Sequence, residues 1–455
     1  MVNFMILKYI IYLNISQEIE LTKQKIHKLR GNLRVASDKS QSHRCLILSA
    51  LSTGKSEISH LLESEDVLNT VNILKNLGIQ IEKKGKKWIV YGNGVNGFMQ
   101  SKKALNCGNS GTTARLMLGA ISTNPITCTF IGDSSLSKRE MHRVTDYLEK
   151  LGCEVNLTNK KYLPLIIKGS KIPLPLTHKI HKPSAQIKSA LMLASLNISG
   201  RTTIIEPRLT RNHTELMLKY LDVNFKNQKI SSGGQKLIFN GPYEIRSKNF
   251  SIPSDPSSCA FMVVAALITP RSKIKLLDVN LNPTRIAYLS ILKKMGGKIV
   301  IKKTKQIYGE KRGTVEISSS KLKAITIPAK ISPLIIDEYP ILSIAASRAK
   351  GVSYFKGLEE LRHKESDRIK SIVNMLKSFE IKTKERKNDI KIYGSPFKEV
   401  NCKKTIKVYK DHRIALSASI LGLISKNPIK LDDGGKSINT SYPNFKTDLK
   451  KLIIN

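Results

Sequence analysis

The chain has 455 residues, 40% hydrophobic and 25% charged, and its 77 Lys and Arg against 35 Asp and Glu give a formal net charge of +42. The length exceeds a single compact core and implies two domains, with the composition of a soluble globular protein. The charge raises nucleic-acid binding through counterion release. Yet the lysines are dispersed in groups such as "KKGKK" and "NCKKTIK", aromatics are only 6%, and no stretch makes a base-stacking platform.

Residues 1–24, opening "MVNFMILKYIIYLNI", are apolar but lack a basic segment ahead of the apolar run and a small-residue cleavage site. The run is too short to span a bilayer, so these residues read as an extension of unassigned role. From there the chain repeats itself. Helices apolar on nearly every face recur as "SHRCLILSALSTG", "GTTARLMLGAIST", "SAQIKSALMLASLNISG", "SSCAFMVVAALIT", "DEYPILSIAASRAKG" and "DHRIALSASILGLIS". A helix without a polar face belongs inside a core.

Each is followed by an amphipathic helix, from "DVLNTVNILKNLGIQIE" through "HRVTDYLEKLGCEVNL", "HTELMLKYLDVNF", "NPTRIAYLSILKKMGGKIVI" and "ESDRIKSIVNMLKSFEIKT" to "NFKTDLKKLII". Short β-branched runs such as "KWIVYG", "ITCTFIG" and "TTIIEP" supply strands. The expected fold is therefore α/β, six repeated units of one inner and one outer helix, three to a domain. Strand-like segments run into polar helix starts near Ser37–Asp38 and Pro253–Ser254. Crossings there would make residues 25–37 plus 254–455 one domain and 38–253 the other, with a cleft between.

The mouths of the six inner helices read "DKSQSHR", "GNSGTTAR", "KPSAQIKS", "SDPSSCA", "IIDEYP" and "YKDHR". Ser, Asp and Asn there suit ordinary N-capping. Four of the six also carry cations within two turns, Lys39 and Arg44, Arg115, Lys188 and Arg413, and cations oppose the dipole at a helix N-terminus. Anionic ligands would remove that conflict, so the mouths read as phosphate or carboxylate sites. Lys138 and Arg139 in "LSKREMHR", and Lys364, Glu365 and Arg368 in "LRHKESDRIK", add further charge; Lys364 and Arg368 would share a face if that segment is helical. Asp337 and Glu338 open an inner helix, where desolvation among cations can tune a carboxylate for proton transfer.

Six cysteines, at positions 45, 107, 128, 153, 259 and 402, form no CxxC pair, and several lie in apolar runs, as expected of reduced thiols in a cytoplasmic protein. The nine histidines have no HExxH spacing, and no Walker lysine or dinucleotide fingerprint occurs, so no metal or nucleotide site is implied.

Taken in order, "DKSQSHR", "GNSGTTARL", "GDSSLSKREM", "KPSAQIKSALMLA", "TRNHTELML", "DPSSCAF", "DEYPIL", "ELRHKESDRI", "DHRIALSASI" and "NTSYPNF" resemble the 5-enolpyruvylshikimate-3-phosphate synthase family of enolpyruvyl transferases, over about residue 30 to the end. The resemblance implies a two-domain inside-out α/β barrel. It implies transfer of the enolpyruvyl group of phosphoenolpyruvate to the 5-hydroxyl of shikimate 3-phosphate, with no metal or organic cofactor. It also implies a cytoplasmic monomer whose partners are those two small molecules, not nucleic acid or a membrane.

By motif, Lys39, Ser40, Arg44, Ser184, Ala185, Gln186, Asp337 and Lys364 would hold shikimate 3-phosphate. Lys39, Gly111, Arg139, Gln186, Arg368 and Arg413 would meet phosphoenolpyruvate, and Asp337, Glu365 and Lys39 would carry the acid–base chemistry. Gly111 is the family position where a methyl group obstructs glyphosate, so inhibition by that herbicide is expected. Three departures stand out: Ala36-Ser37 replaces Pro-Gly before Asp38, Glu140 replaces Pro after Arg139, and Thr440 occupies a position that is Lys in some members. The related enolpyruvyl transferases acting on UDP-N-acetylglucosamine instead follow the lysine with Asn, where this chain has Ser40.

Overall fold

The computed structural model describes residues 28–454; the extension at residues 1–24 lies outside the described residues. Six inner helices run Lys39–Ala50, Gly111–Ile121, Ala185–Ser195, Pro256–Ile268, Tyr339–Ser347 and His412–Gly422. Six outer helices follow them in turn, at Glu65–Asn76, His142–Leu148, His213–Tyr220, Ala287–Lys294, Arg368–Ser378 and Phe445–Leu452. In the inner helix Pro256–Ile268 every residue up to Leu267 is buried, whereas Arg368–Ser378 buries a single stripe, among it Ile369, Ile372, Val373 and Leu376.

Each complete unit is a strand, inner helix, parallel strand, outer helix and antiparallel hairpin. In the second, Leu105–Asn106 pairs in parallel with Thr127–Ile131, which pairs antiparallel with Tyr162–Lys168 and so with Glu154–Thr158. Five such four-stranded sheets form among the described residues. The sixth unit has both helices and, among the described residues, the isolated parallel bridges Val400–Ser425 and Ile406–Leu431 and an antiparallel bridge from Ile453 to Leu29.

The inner helices pack into two separate cores. One gathers Cys45 to Ile252; the other joins Leu29, Leu33 and Val35 to Cys259 through Leu452. Two strands are exchanged between the cores. Arg30–Leu33 pairs in parallel with Lys273–Asn280 of the fourth unit, while Phe250–Ser251 pairs in parallel with Thr53–Ser59 of the first. The passing segments hold each other, Asp38 N–H donating to Pro253 O at 2.8 Å and Asp255 N–H to Ala36 O at 2.9 Å, so Ala36-Ser37 keeps a paired crossing. Close helix packing needs Gly119: a Cβ there would lie 2.3 Å from Ala190 O.

Candidate active site

Five inner-helix mouths are capped by their own side chains. Asp38 accepts from Gln41 N–H, Ser110 from Thr113, Ser184 from Ile187, Asp255 from Ser257 and Asp411 from Arg413. Capping therefore accounts for much of the polar sequence, and anions meeting these mouths depend on the cations rather than on free amides alone. Lys188 is a correction: fully buried, its Nζ pairs with Glu206 Oε2 at 2.8 Å and Glu215 Oε1 at 2.7 Å, which removes it from the cation set.

The remaining cations converge from both cores. Lys39 Nζ pairs with the Asp66 carboxylate and donates across the cleft to Thr440 O at 3.2 Å. The backbone of Thr440 thus contacts the site although the side chain is not Lys. Ser40 stands one residue on and its carbonyl accepts from Arg44 at 3.0 Å. The buried Arg44 also donates to Thr214 Oγ1 and Ser189 Oγ, both at 2.8 Å; burial pulls its pKa down to about 10 despite Glu215 and Asp38.

On the second mouth, Arg115 donates to Gln186 Oε1 at 2.9 Å and to Glu140 O at 3.2 Å. It braces the helix starts and orients Gln186, whose amide donates on to Thr112 Oγ1 at 3.0 Å. Ser184 and Ala185 form the cap and first turn of the same helix as Gln186. Gly111 leaves the space these arginines use, since a Cβ would lie 2.8 Å from Arg115 Nη1 and 3.4 Å from Arg139 Nη1. Arg139 donates to Asn109 Oδ1 and to Ser135 Oγ, and lies 3.9 Å from the Glu365 carboxylate of the other half.

Two carboxylates face these groups. Asp337 receives Arg211 at 2.6 Å and Arg368 at 3.2 Å, with Arg413 at 3.7 Å and also bonded to the Asp337 carbonyl at 3.0 Å. Burial alone would raise its pKa, but Arg413, Arg211, Lys364 and Arg368 outweigh it and hold the carboxyl well below the usual range. Glu365 pairs with Arg368 at 2.5 Å, and against the upward push of burial Arg368 and Arg139 hold it low as well. Arg368 is wholly buried and is anchored by Asp411 at 2.8 Å. Neighbouring Glu338 is shifted up, by burial first and also by Asp337.

Lys364 follows a 3₁₀ turn, Glu359–His363, and precedes the helix that starts at Arg368, so no shared helical face forms between them. Burial lowers its pKa, with Asp337 acting in the opposite sense. The candidate residues named from the sequence lie at these mouths or on two other segments, Arg139 after the turn Leu136–Lys138 and Lys364 and Glu365 ahead of Arg368–Ser378, with Lys188 turned away to Glu206 and Glu215. Asp66, Arg211 and Asp411 were not singled out. Arg211 stands inside the quoted "TRNHTELML" stretch, whereas Asp66 reads as an ordinary acidic first turn of an outer helix.

Eight cations gathered from both halves, with Asp337 and Glu365 among them and Asp66 and Asp411 pairing Lys39 and Arg368, can hold a compound bearing phosphate beside a second anion and can move a proton between them. A family model described as EPSP synthase (3-phosphoshikimate 1-carboxyvinyltransferase) matches residues 23–449. The chain is 41% identical over 438 residues to the 3-phosphoshikimate 1-carboxyvinyltransferase of Rhodopseudomonas palustris strain BisB5, covering 96% of this chain and 98% of that protein. It is 42% identical over 426 residues to the protein of the same name from Bradyrhizobium diazoefficiens, covering 93% and 90%. Among solved structures, EPSP synthase from Acinetobacter baumannii superposes with a TM-score of 0.82 at 34% identity, over 95% of this chain and 97% of that one. The enolpyruvyl transferase NikO from Streptomyces tendae, at 14% identity and a TM-score of 0.73 over 94% and 96%, shares the fold.

Proposed function

The chain belongs to the EPSP synthase family and transfers the enolpyruvyl group of phosphoenolpyruvate to the 5-hydroxyl of shikimate 3-phosphate, and we propose that the cleft described above is where it does so. The observation carrying this placement is the convergence on Asp337 and Glu365 of cations from both cores.

In this reading Lys39, Ser40, Arg44, Ser184, Ala185, Gln186, Asp337 and Lys364 take shikimate 3-phosphate, joined by Arg211. Lys39, Gly111, Arg139, Gln186, Arg368 and Arg413 take phosphoenolpyruvate. Residues 25–37 with 254–455 act as one domain and 38–253 as the other, a division supported by the two cores.

Asp337, beside Arg211 and within the field of Lys364, is placed to accept the proton of the 5-hydroxyl as that oxygen attacks C2. Glu365 lies against Arg368 and Arg139, both assigned to phosphoenolpyruvate in this reading, and is proposed to deliver the proton to C3, with Lys39 participating. Addition gives a tetrahedral intermediate; in the elimination Glu365, now a carboxylate, takes a C3 proton, the C2=C3 bond re-forms, and the C2–O bond to phosphate breaks as the leaving phosphate takes the proton held by Asp337. Both carboxyls are strongly acidic in the cation ring. The two phosphates and the carboxylate of the substrates neutralise that field, which raises both toward proton-transfer range.

The six cysteines, free and buried, support a cytoplasmic setting. The same proposal takes the enzyme to be a monomer whose partners are the two small molecules rather than nucleic acid. No helix of the described residues is long and apolar enough to cross a membrane. Lys364→Met tests the placement: it should weaken shikimate 3-phosphate binding by about tenfold or more by calorimetry, and an unchanged Kd would remove Lys364 from the site.

A further inference from the structure

Four consecutive residues, Thr210 to His213, join the two halves, and of these only Arg211 has a part in the proposed transfer chemistry. Thr210 is fixed to its own half: its amide donates to Glu206 Oε1 at 3.0 Å and its hydroxyl to the same oxygen. Glu206 is in turn held by Lys188 and Gln235, each at 2.8 Å. The next three side chains reach the other half. Arg211 donates to Asp337 at 2.6 Å, and Asn212 Oδ1 accepts from Asn282 at 2.8 Å. His213 Nδ1 lies 2.6 Å from Glu310 Oε1, and Arg285 Nη1 3.0 Å from His213 Nε2.

A guanidinium only donates, so Nε2 of His213 accepts and its Nδ1–H donates to Glu310. Arg285 continues to Asp38 at 3.3 Å and Asp255 at 3.1 Å, the caps at the two crossings. Gln41 and Asn280 complete the pivot by donating to Glu310 Oε2 at 2.8 and 2.6 Å. One end of a short strap is therefore tied to the pivot, while a residue two positions earlier meets the candidate base.

We infer that His213, held by Glu310 and Arg285, is a positioning residue that fixes Arg211 against Asp337 when shikimate 3-phosphate is bound. The inference rests on the site reading given above. Two residues span at most about 7 Å of extended chain, so displacement of His213 is passed to Arg211 with little slack. A buried charge cluster that served only folding would leave substrate preferences untouched.

His213→Gln and Glu310→Gln, compared with Arg211→Ala and the His213→Gln/Arg211→Ala pair in steady-state kinetics, decide between these roles. Each single pivot variant should raise KM for shikimate 3-phosphate about tenfold or more, with kcat and KM for phosphoenolpyruvate held within about threefold. The pair should be no worse than Arg211→Ala alone, because both changes break one connection. Additive losses, equal rises in both KM values, a fall in kcat alone, or failure of both pivot variants to fold would overturn the inference. Were Arg211→Ala itself silent while the wild-type enzyme turned over, the site reading would fall and the inference with it.

Discussion

Arg211 and Asp337 belong to different halves of the molecule, yet the guanidinium donates to the carboxylate at 2.6 Å with both side chains only 17% exposed. The contact places an acid that opens a C-terminal inner helix under the control of a cation from the N-terminal half. At about 4 kcal/mol for unit charges 4 Å apart near a protein surface, three or four such neighbours outweigh the cost of burial, which is why Asp337 is ionised.

Asp337→Asn keeps the shape of the side chain and removes the base. Turnover should fall by about 10²–10⁴-fold, while shikimate 3-phosphate binding measured by calorimetry changes far less. Near-normal turnover would take Asp337 out of the chemistry.

Acid should unfold the protein partly through the same carboxyls. Asp337 and Glu365 have folded pKa values below their unfolded values of about 3.9 and 4.3, so their stabilisation is complete above those values. It is lost as pH falls through the depressed folded values. An Asp337→Asn/Glu365→Gln variant should therefore show a flatter decline of Tm below about pH 4 than the wild-type chain. Parallel curves would contradict the assigned shifts.

Gly111→Ala places a methyl 2.8 Å from Arg115 Nη1 and 3.4 Å from Arg139 Nη1. The arginine ends can move, so the fold should survive with an unchanged Tm. In the variant KM for phosphoenolpyruvate should rise several-fold and inhibition by glyphosate should be weaker than in the wild-type enzyme, which the compound should inhibit. A wild-type enzyme resistant to glyphosate would contradict the placement of Gly111.

Gly119→Ala tests the packing of the inner helices. Its methyl would meet Ala190 O at 2.3 Å and Ala190 Cα at 2.5 Å, backbone atoms that cannot rotate away. Overpacking of this kind costs about 1–3 kcal/mol, so Tm should drop by several degrees in thermal melting, and an unchanged Tm would show that the helices separate freely.

The architecture was legible because inner and outer helices differ so plainly in pattern: "SSCAFMVVAALI" has no polar face, while "RIKSIVNMLKS" has one. The exchange of Arg30–Leu33 and Phe250–Ser251 between sheets was only partly legible, since partner choice for so short a strand is decided by tertiary packing. Lys188 was misread as a ligand group because a cation in a helix mouth looks alike whether it points to the cleft or to Glu206 and Glu215. Asp66 was missed for the converse reason. An acid in a first helical turn is ordinary, and only the fold brings it to Lys39.

Phosphate release from purified enzyme supplied with shikimate 3-phosphate and phosphoenolpyruvate tests the central claim most directly. The account predicts release that requires both compounds, is matched by enol ether formation at the 5-oxygen, and is lost in Asp337→Asn. Absence of release with that pair, or equal release with UDP-N-acetylglucosamine in place of shikimate 3-phosphate, would contradict it.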